Sequence, residues 1–525
     1  YDGEYQKYYS KNLEFCEERP HTIFLQRYAR GVKISSKYSC LADKLFIKYH
    51  KVSGFLFFSG CKNVLLCDFN FHEIRMSPIV IKTIQFFLSL SILIVLHELG
   101  HFIPAKYFKT RVEKFYLFFD VKFSLFKKKI GETEYGIGWL PLGGYVKISG
   151  MIDESMDKEA MAEEPKEWEF RSKPAWQRLI IMLGGVTVNF ILAVVIFIGL
   201  AYAYGDQYVA NDSLKDGIWV TDTTLGDALG VQTGDKILAV DGKKIESLNS
   251  IVPEVVYGEN ITIERNGQKI EKEIPVDFIE TISNNKENAR FISQRSPFII
   301  NAIPDGSPNA NTGFEKGDAL IEIEGTRVEY LDQVSPILEV NKGKTVNVIV
   351  KRNGTELPLE AKISDDGKIG VSLGFDSLEE YEKEGYFQVK QLDYTFIESI
   401  PAGWNKGVKT LTDYIKGMKK IFNPDTGAYK EVGGFAAIGG MFPDTWNWPA
   451  FWGTTAFISI ILAFMNILPI PALDGGHVMF LLYEMITGRK PSDKFLEYAQ
   501  ITGFFILIAL LLFANGNDVY KAIFK

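Results

Sequence analysis

The sequence predicts a polytopic α-helical membrane protein with four transmembrane helices, two external β-rich domains and a cytoplasmic membrane-associated β-hairpin. Three observations predict this class. Four apolar stretches are long enough to cross a bilayer, Lys and Arg cluster in the loops on one side of them, and a long polar segment holds an internal repeat. The spans are expected at 79–103, 179–203, 453–473 and 498–515.

The composition agrees with membrane helices joined to large water-exposed domains. The chain has 525 residues, of which 46% are hydrophobic and 23% are charged, and its mean hydropathy is +0.01. A protein built only of membrane helices would be more apolar, and single soluble cores rarely exceed about 250–300 residues. The net charge of −7 indicates no nucleic-acid partner. The lipid bilayer is the expected surrounding.

The distribution of Lys and Arg predicts the orientation of the spans, because these residues favour the cytoplasmic side. Several lie in 104–178 and 475–497, whereas only Lys215 lies just after the second span. Segments 104–178 and 475–497 should therefore be cytoplasmic, and 204–452 should be external. The first and third spans then both run inward, so their ends can meet. The predicted segments follow this order along the chain. They are 76–104 (first span), 105–178 (cytoplasmic loop), 179–204 (second span), 205–285 and 286–378 (two β-rich domains), 379–452 (an external linker and amphipathic region), 453–497 (third span and a short cytoplasmic loop) and 498–525 (fourth span and tail).

The segment 1–75 differs from the rest of the chain. It holds all four cysteines and half of the histidines, and Met76 is the first methionine. If it were external, about a dozen Lys and Arg would have to cross the membrane against the usual tendency. We expect 1–75 to be a non-native or upstream-translated segment, with the native protein starting at Met76. The alternative is a genuine additional domain with a redox function.

The end of the first span carries a metal-binding pattern, His97-Glu98-x-x-His101. Residues four apart lie on one face of a helix, so two imidazoles can offer nitrogens to one ion, with Glu98 beside them as a general base. The plain alternative is a chance match with two ordinary core histidines. At membrane depth, a chance match would leave three ionisable side chains within the bilayer, which is costly unless they bind metal or face water. The pattern therefore predicts a metalloprotease that works within the membrane.

Two histidines leave zinc short of a third protein ligand. The segment 466–477, NILPIPALDGGH, offers Asp474 and His477 at the end of another apolar run. Pro469 and Pro471 should break the helix there, which membrane proteins tolerate around a site. The residues alone leave the choice between Asp474 and His477 open. They also leave open a simple Pro-Gly turn leaving the membrane.

The two motifs together resemble the site-2 protease family of zinc intramembrane metalloproteases. HELGH lies in a first span and N-x-x-P-x-P-x-L-D-G-G in a late one. Segment 134–150, EYGIGWLPLGGYVKISG, is similar to the β-hairpin segment of bacterial RseP-type members, and 184–190, GGVTVNF, to the start of their second span. The resemblance covers 76–525.

The resemblance implies a role for each matched residue. It implies His97, His101 and Asp474 as ligands of Zn²⁺, Glu98 as the catalytic base, and Asn466 as a residue that holds the substrate or the developing oxyanion. His477 receives no role. The implied location is the bacterial cytoplasmic (inner) membrane, which the chain would cross several times.

The external segment contains two copies of one pattern. Residues 234–245 (GDKILAVDGKKI) parallel 317–328 (GDALIEIEGTRV), and 261–267 (ITIERNG) parallel 348–354 (VIVKRNG). Alternating apolar residues and Asp-Gly or Asn-Gly turns predict β-hairpins. The pattern resembles PDZ domains, which predicts PDZ-like domains at 205–285 and 286–378. Such domains could bind an extended peptide, act as a size filter above the site, or be purely structural.

The segment 131–149 is predicted to be a β-hairpin with a free edge near the metal. A helical substrate hides its carbonyl groups in its own hydrogen bonds, so an unwound substrate needs new backbone partners. The alternative is a hairpin that lies passively on the membrane.

Taken together, the sequence predicts a zinc-dependent intramembrane endopeptidase for single-span membrane proteins. The resemblance implies substrates of the anti-sigma factor or remnant signal peptide type. The alternatives are a metal-ion transporter and a non-catalytic membrane scaffold with PDZ domains. Glu98 favours the enzyme, because a transporter needs no general base beside its ligands.

Overall fold

The computed structural model describes residues 51–52, 55–56, 77–141, 143–151, 164–285 and 290–524. The chain divides into two units, Tyr1–Arg75 and Met76–Lys525. In the first unit, strands β1 (Lys51–Val52) and β2 (Phe55–Leu56) pair antiparallel. The cysteines lie outside the described residues, and so does most of the segment for which we expect a non-native origin.

The second unit contains α-helices at both ends and strands between them. The helices are α1 (Pro78–Tyr107), α2 (Ala175–Tyr204), α3 (Thr223–Leu229), α4 (Ile251–Tyr257), α5 (Phe278–Asn284), α6 (Leu331–Val340), α7 (Leu378–Lys383), α8 (Phe396–Phe422), α9 (Phe435–Gly440), α10 (Trp448–Ile467), α11 (Asp474–Thr487) and α12 (Asp493–Phe524). The strands are β3 (Val112–Leu117), β4 (Phe119–Ile130), β5 (Thr133–Leu140), β6 (Tyr145–Ile148), β7 (Asp206–Val209), β8 (Ile218–Val220), β9 (Lys236–Val240), β10 (Lys243–Lys244), β11 (Asn260–Arg265), β12 (Gln268–Glu273), β13 (Ile292–Gln294), β14 (Ile300–Ala302), β15 (Ala319–Ile323), β16 (Thr326–Arg327), β17 (Thr345–Arg352), β18 (Thr355–Lys362), β19 (Ser372–Leu373) and β20 (Val389–Leu392).

Among the described residues, four helices are long and apolar enough to cross a membrane: α1, α2, α10 and α12. The predicted combination of four membrane helices and β-rich domains is confirmed. The third span differs from the expected 453–473, because α10 begins at Trp448 and already ends at Ile467. Pro469 and Pro471 follow that end, as their missing N–H groups and fixed φ angles require. A separate helix then starts at Asp474.

The centre of the helix bundle is α2, which packs against α1, α8, α10 and α11. Gly100 of α1 and Gly184 of α2 bring two backbones together, since a Cβ on either glycine would overlap the carbonyl group of the other. Small residues permit this close approach of membrane helices. Polar bonds reinforce the bundle: Ser459 Oγ donates to the carbonyl oxygen of Asn189 over 2.7 Å.

A four-stranded sheet follows α1, in the order β4-β5-β3-β6. The predicted hairpin at 131–149 is wrong in its pairing, because β5 and β6 do not pair with each other. Strand β3 lies between them, parallel to β5 and antiparallel to β6. The hairpin that forms is β4–β5, which turns at Gly131 with a φ of 61°. The local pattern of 131–149 could not reveal a strand inserted from an earlier part of the chain.

The repeated segments fold into two sheets of the same order, β10-β9-β11-β12 and β16-β15-β17-β18. In each, the Asp of the Gly-Asp pattern forms a bidentate ion pair with the Arg of the Arg-Asn-Gly pattern. Arg265 Nη2 lies 2.7 Å from Asp235 Oδ2, and Arg352 Nη2 lies 2.7 Å from Asp318 Oδ2. Both aspartates are buried. The two motifs recur together because they are two halves of one buried contact.

The first of these β domains extends beyond its predicted end at residue 285. Its hydrophobic core includes Phe291, Ile292 and Phe387. Strand β13 pairs with β8, and β20 pairs with β7. These pairings are long-range in sequence, so the local pattern did not reveal them. The β7–β20 pair brings the entry and the exit of the tandem together beside α2.

The long helix α8 connects the β domains to the membrane bundle. A Cβ on Gly403 would lie 2.5 Å from the backbone nitrogen of Ile198, so α8 contacts α2 directly. Further along, Lys409 Nζ lies 2.7 Å from Glu254 Oε1 in the first β domain. This helix lies in the region 379–452, for which an amphipathic segment is expected.

Candidate metal centre and active site

Three donor atoms from two distant parts of the chain converge near the C-terminal end of α1. The Nε2 atoms of His97 and His101 lie 3.2 Å apart, and each lies 3.3 Å from Oδ2 of Asp474. Zinc–nitrogen distances of about 2.0–2.1 Å in a tetrahedron place neighbouring donor atoms roughly 3.3 Å apart. The triangle therefore has the dimensions of one face of a zinc site.

The two contacts that Asp474 makes inside this triangle are not hydrogen bonds. Oδ2 of Asp474 is buried and has no hydrogen-bond partner among the described residues. A buried carboxylate oxygen without a partner is costly, and a metal ion between the three donors removes that cost. Two imidazoles and one carboxylate are also an ordinary ligand set for catalytic zinc, with a fourth position left for water or substrate.

The imidazole of His101 is oriented by the second span. Its Nδ1 lies 2.9 Å from the carbonyl oxygen of Ile181, and a carbonyl can only accept. Nδ1 therefore carries the proton and Nε2 keeps a free lone pair directed at the triangle. His101 is buried, with 7% of its surface exposed.

Glycines make room for the donors. A Cβ on Gly185 would overlap Nε2 of His101 and lie 2.6 Å from Cε1 of His97. On the other side, a Cβ on Gly475 would overlap the carbonyl oxygens of Ile467 and Leu468. The Gly-Gly pair after Asp474 thus lets α11 begin directly against the end of α10. This close turn points the Asp474 side chain at α1.

Glu98 and Asn466, the predicted catalytic residues, also lie at this centre. Glu98 lines the same cavity of about 510 Å³ as the three donor residues. Nδ2 of Asn466 lies 3.4 Å from Nε2 of His97, so its amide group faces the same point. His477 lines the cavity wall three residues beyond Asp474 and is not part of the donor triangle. The geometry thus favours Asp474 over His477 as the third donor.

The β-sheet forms part of the cavity wall. Strand β6 is an edge strand of the sheet, and all four of its residues, Tyr145–Ile148, line the cavity. A Cβ on Gly144 would lie 2.5 Å from Cγ2 of Ile94 and 3.4 Å from Cγ of Glu98. The edge strand therefore starts beside the general-base candidate, at the level of the apolar part of α1.

A polar cluster on the sheet also lines the cavity. Tyr145 donates to Asp120 Oδ1 over 2.8 Å, and Lys114 Nζ lies 3.4 Å from Asp120 Oδ2. Burial and the bond to Asp120 raise the pKa of Tyr145 well above its usual value. Burial opposes ionisation of Asp120, but the Tyr145 bond and the Lys114 charge outweigh it and lower the pKa of this carboxyl. Asp120 is thus a stable anion and Tyr145 a neutral donor.

Sequence reasoning assigned no role to two residues of α2 that contact the donors, Gly185 and Asn189. Nδ2 of Asn189 lies 3.2 Å from Nδ1 of His97, and the amide is fully buried. A signal was present in GGVTVNF, since an Asn inside an apolar span is unusual and commonly has a specific partner. Only the packing of α2 on α1 identifies that partner.

Comparison with known proteins decides between the functional classes. The model of peptidase family M50 matches residues 85–510. The chain belongs to peptidase family M50. This membership confirms the predicted relationship to site-2 proteases and excludes the transporter and scaffold alternatives.

Curated relatives agree along nearly their whole length. The Regulator of sigma E protease of Haemophilus influenzae is 25% identical over 465 residues, covering 83% of this chain and 98% of the relative. The Regulator of sigma-E protease RseP of Escherichia coli is 27% identical over 459 residues, covering 83% of this chain and 97% of the relative. A protein of Vibrio cholerae, provisionally named a zinc metalloprotease, is 27% identical over 471 residues, covering 84% of this chain and 99% of the relative. The predicted zinc metalloprotease class is thereby confirmed.

Proposed function

We propose that this protein is a zinc-dependent intramembrane endopeptidase that cleaves single-span membrane proteins within the bilayer. One observation carries the proposal: the donor triangle of His97, His101 and Asp474 shares a cavity with Glu98 at the end of a membrane-spanning helix. Names of relatives that include zinc metalloprotease support zinc as the metal.

In the proposed mechanism, His97, His101 and Asp474 hold the ion. When bound, Zn²⁺ supplies a Lewis acid that lowers the pKa of water and polarises a peptide carbonyl. Glu98 accepts a proton from the attacking water and returns it to the leaving amine nitrogen. The Asn466 amide, which faces His97 Nε2, donates to the carbonyl oxygen of the scissile peptide as negative charge develops on it.

The substrate segment must be extended to reach these groups, because a helix keeps its carbonyl groups bonded to its own N–H groups. We propose that the edge of β6 binds the unwound segment by strand addition. Support comes from the position of β6, which lines the same cavity as the donor triangle. The sheet then lies in the cytoplasmic half of the membrane, where apolar side chains of β4 such as Phe123 and Leu125 are exposed.

The relatives and the charge distribution support the substrate class and the location that we propose. The substrate that we propose is an anti-sigma factor, with remnant signal peptides as a second substrate of the same chemistry, and relatives named Regulator of sigma E protease support this choice. We place the protein in the bacterial cytoplasmic membrane, with the β domains outside. The common strand order of those domains and their Gly-Asp and Arg-Asn-Gly motifs support a PDZ-like tandem.

Co-expression with candidate single-span proteins tests the proposal. Wild-type protein should produce fragments cut inside the membrane segment, identified by mass spectrometry, and Glu98→Gln should not. A scissile bond outside the membrane segment, or the same fragments from both proteins, would contradict the assignment.

A further inference from the structure

We propose that Asn189 is a positioning residue that holds His97 in its metal-binding tautomer, with the Asn189 amide oxygen accepting a hydrogen bond from the Nδ1–H of His97. The inference rests on the proposed function, because it takes Nε2 of His97 as a metal donor.

Two observations on Asn189 must be explained together. Its Nδ2 lies 3.2 Å from Nδ1 of His97, while its Oδ1 is buried and has no hydrogen-bond partner among the described residues. The whole residue is buried, with 0% of its surface exposed. A buried amide oxygen without a donor is costly at any depth, and more so where lipid excludes water.

The tautomer of His97 explains which amide atom of Asn189 faces the ring. Its Nε2 belongs to the donor triangle and needs a free lone pair, so the proton of the neutral ring lies on Nδ1. An N–H group needs an acceptor, and an amide NH₂ cannot accept. Rotation of the Asn189 amide by 180° about its last side-chain bond exchanges its nitrogen and oxygen without moving other atoms. Oδ1 then gains a donor and the His97 Nδ1–H gains an acceptor.

The second ligand histidine has the same arrangement. Nδ1 of His101 faces the carbonyl oxygen of Ile181 over 2.9 Å. Both imidazoles are thus oriented by oxygen atoms of α2, one from the backbone and one from the Asn189 side chain. Gly185 lies between these two acceptors and leaves space for the rings.

The position of Asn189 is itself fixed from a third helix. Ser459 of α10 donates to the carbonyl oxygen of Asn189 over 2.7 Å. Asn466, on the same helix α10, faces the other nitrogen of His97. Asn189 therefore connects α1, which carries the two histidine donors, with α10, which carries Asn466, through the central helix.

Zinc affinity of the purified full chain, measured by chelator competition in detergent, tests the inference. Asn189→Leu keeps the size and removes the acceptor, so zinc should bind about 10–100-fold more weakly. Asn189→Asp keeps an oxygen acceptor and should stay close to wild type. Thr455→Val is the matched control, because Thr455 bonds Ser89 in the same bundle without contacting the donors, and its zinc affinity should be unchanged.

Thermal unfolding in detergent accompanies each affinity measurement. If Asn189→Leu does not fold, Asn189→Ala replaces it with the same expected loss. Wild-type zinc affinity in a folded Leu or Ala variant would overturn the inference. Equal losses in the folded Leu and Asp variants would also overturn it, because packing rather than an acceptor would then be responsible. Zinc binding that His97→Ala leaves unchanged would instead overturn the metal site of the proposed function.

Discussion

Oδ2 of Asp474 lies 3.3 Å from Nε2 of His101, although His101 belongs to the first membrane-spanning helix and Asp474 follows the end of the third. The contact exists because α10 ends at Ile467 and α11 begins at Asp474 itself. The break between the two helices thus places a carboxylate against α1. This relationship underlies the first prediction.

Loss of any donor should remove the metal. His97→Ala, His101→Ala and Asp474→Ala should each lower zinc content and abolish cleavage, because two protein ligands hold zinc poorly. Elemental analysis of purified protein measures the metal. His477→Ala is the control, since His477 lines the same cavity outside the triangle and its loss should leave zinc in place. Near-stoichiometric zinc in a variant lacking both His97 and His101 would rule out this site.

Replacement of Glu98 by Gln should separate chemistry from metal binding. Gln keeps the size and the hydrogen-bonding groups but cannot take a proton from water. Loss of a general acid or base costs about 10²–10⁴-fold in rate. Zinc content should equal that of the wild type, which distinguishes this variant from the donor variants. A cleavage rate within a few-fold of wild type would refute the role of Glu98.

Gly185→Ala should damage the metal site by crowding it. The new Cβ would overlap Nε2 of His101. Overpacking of this kind costs about 1–3 kcal/mol of folding stability, and the displacement of His101 should weaken zinc binding. The control is Gly199→Ala in the same helix α2, where a Cβ would meet nothing within 4 Å. Equal zinc affinity in the two variants would show that Gly185 does not shape the site.

Removal of both β domains should test whether they act as a size filter. Asp206 of β7 pairs with Leu392 of β20, so a deletion of 207–391 can be closed with a short linker. The donor triangle and Glu98 lie outside this segment, so cleavage of substrates with short external tails should persist. Substrates with folded external domains should be cleaved only by the variant that lacks 207–391.

The measurement compares one substrate span carrying a short or a long external tail, in detergent or in liposomes. Full-length protein supplies the reference for both tails. The same preference for short tails in both enzymes would exclude the filter, and a peptide-binding role of the tandem would become the better explanation.

The sequence alone determined the features that depend on local periodicity. Four apolar runs predicted the four membrane helices, since the length of a run relates directly to bilayer thickness. His97 and His101 were recognisable together because residues four apart share a helix face. The repeated Gly-Asp and Arg-Asn-Gly patterns predicted two similar β domains, and the buried Arg–Asp pairs account for both motifs.

Only the tertiary structure decided what depends on contacts between distant parts of the chain. The residues alone left Asp474 and His477 as equal candidates, and the start of α11 brings the former to the triangle. Strand β3 enters between β5 and β6, and β13 completes the first domain beyond residue 285. Asn189 meets His97 only because Gly100 and Gly184 let two helix backbones touch. Hydropathy and motif spacing report the surroundings of neighbouring residues, whereas these contacts depend on how separate helices and strands pack.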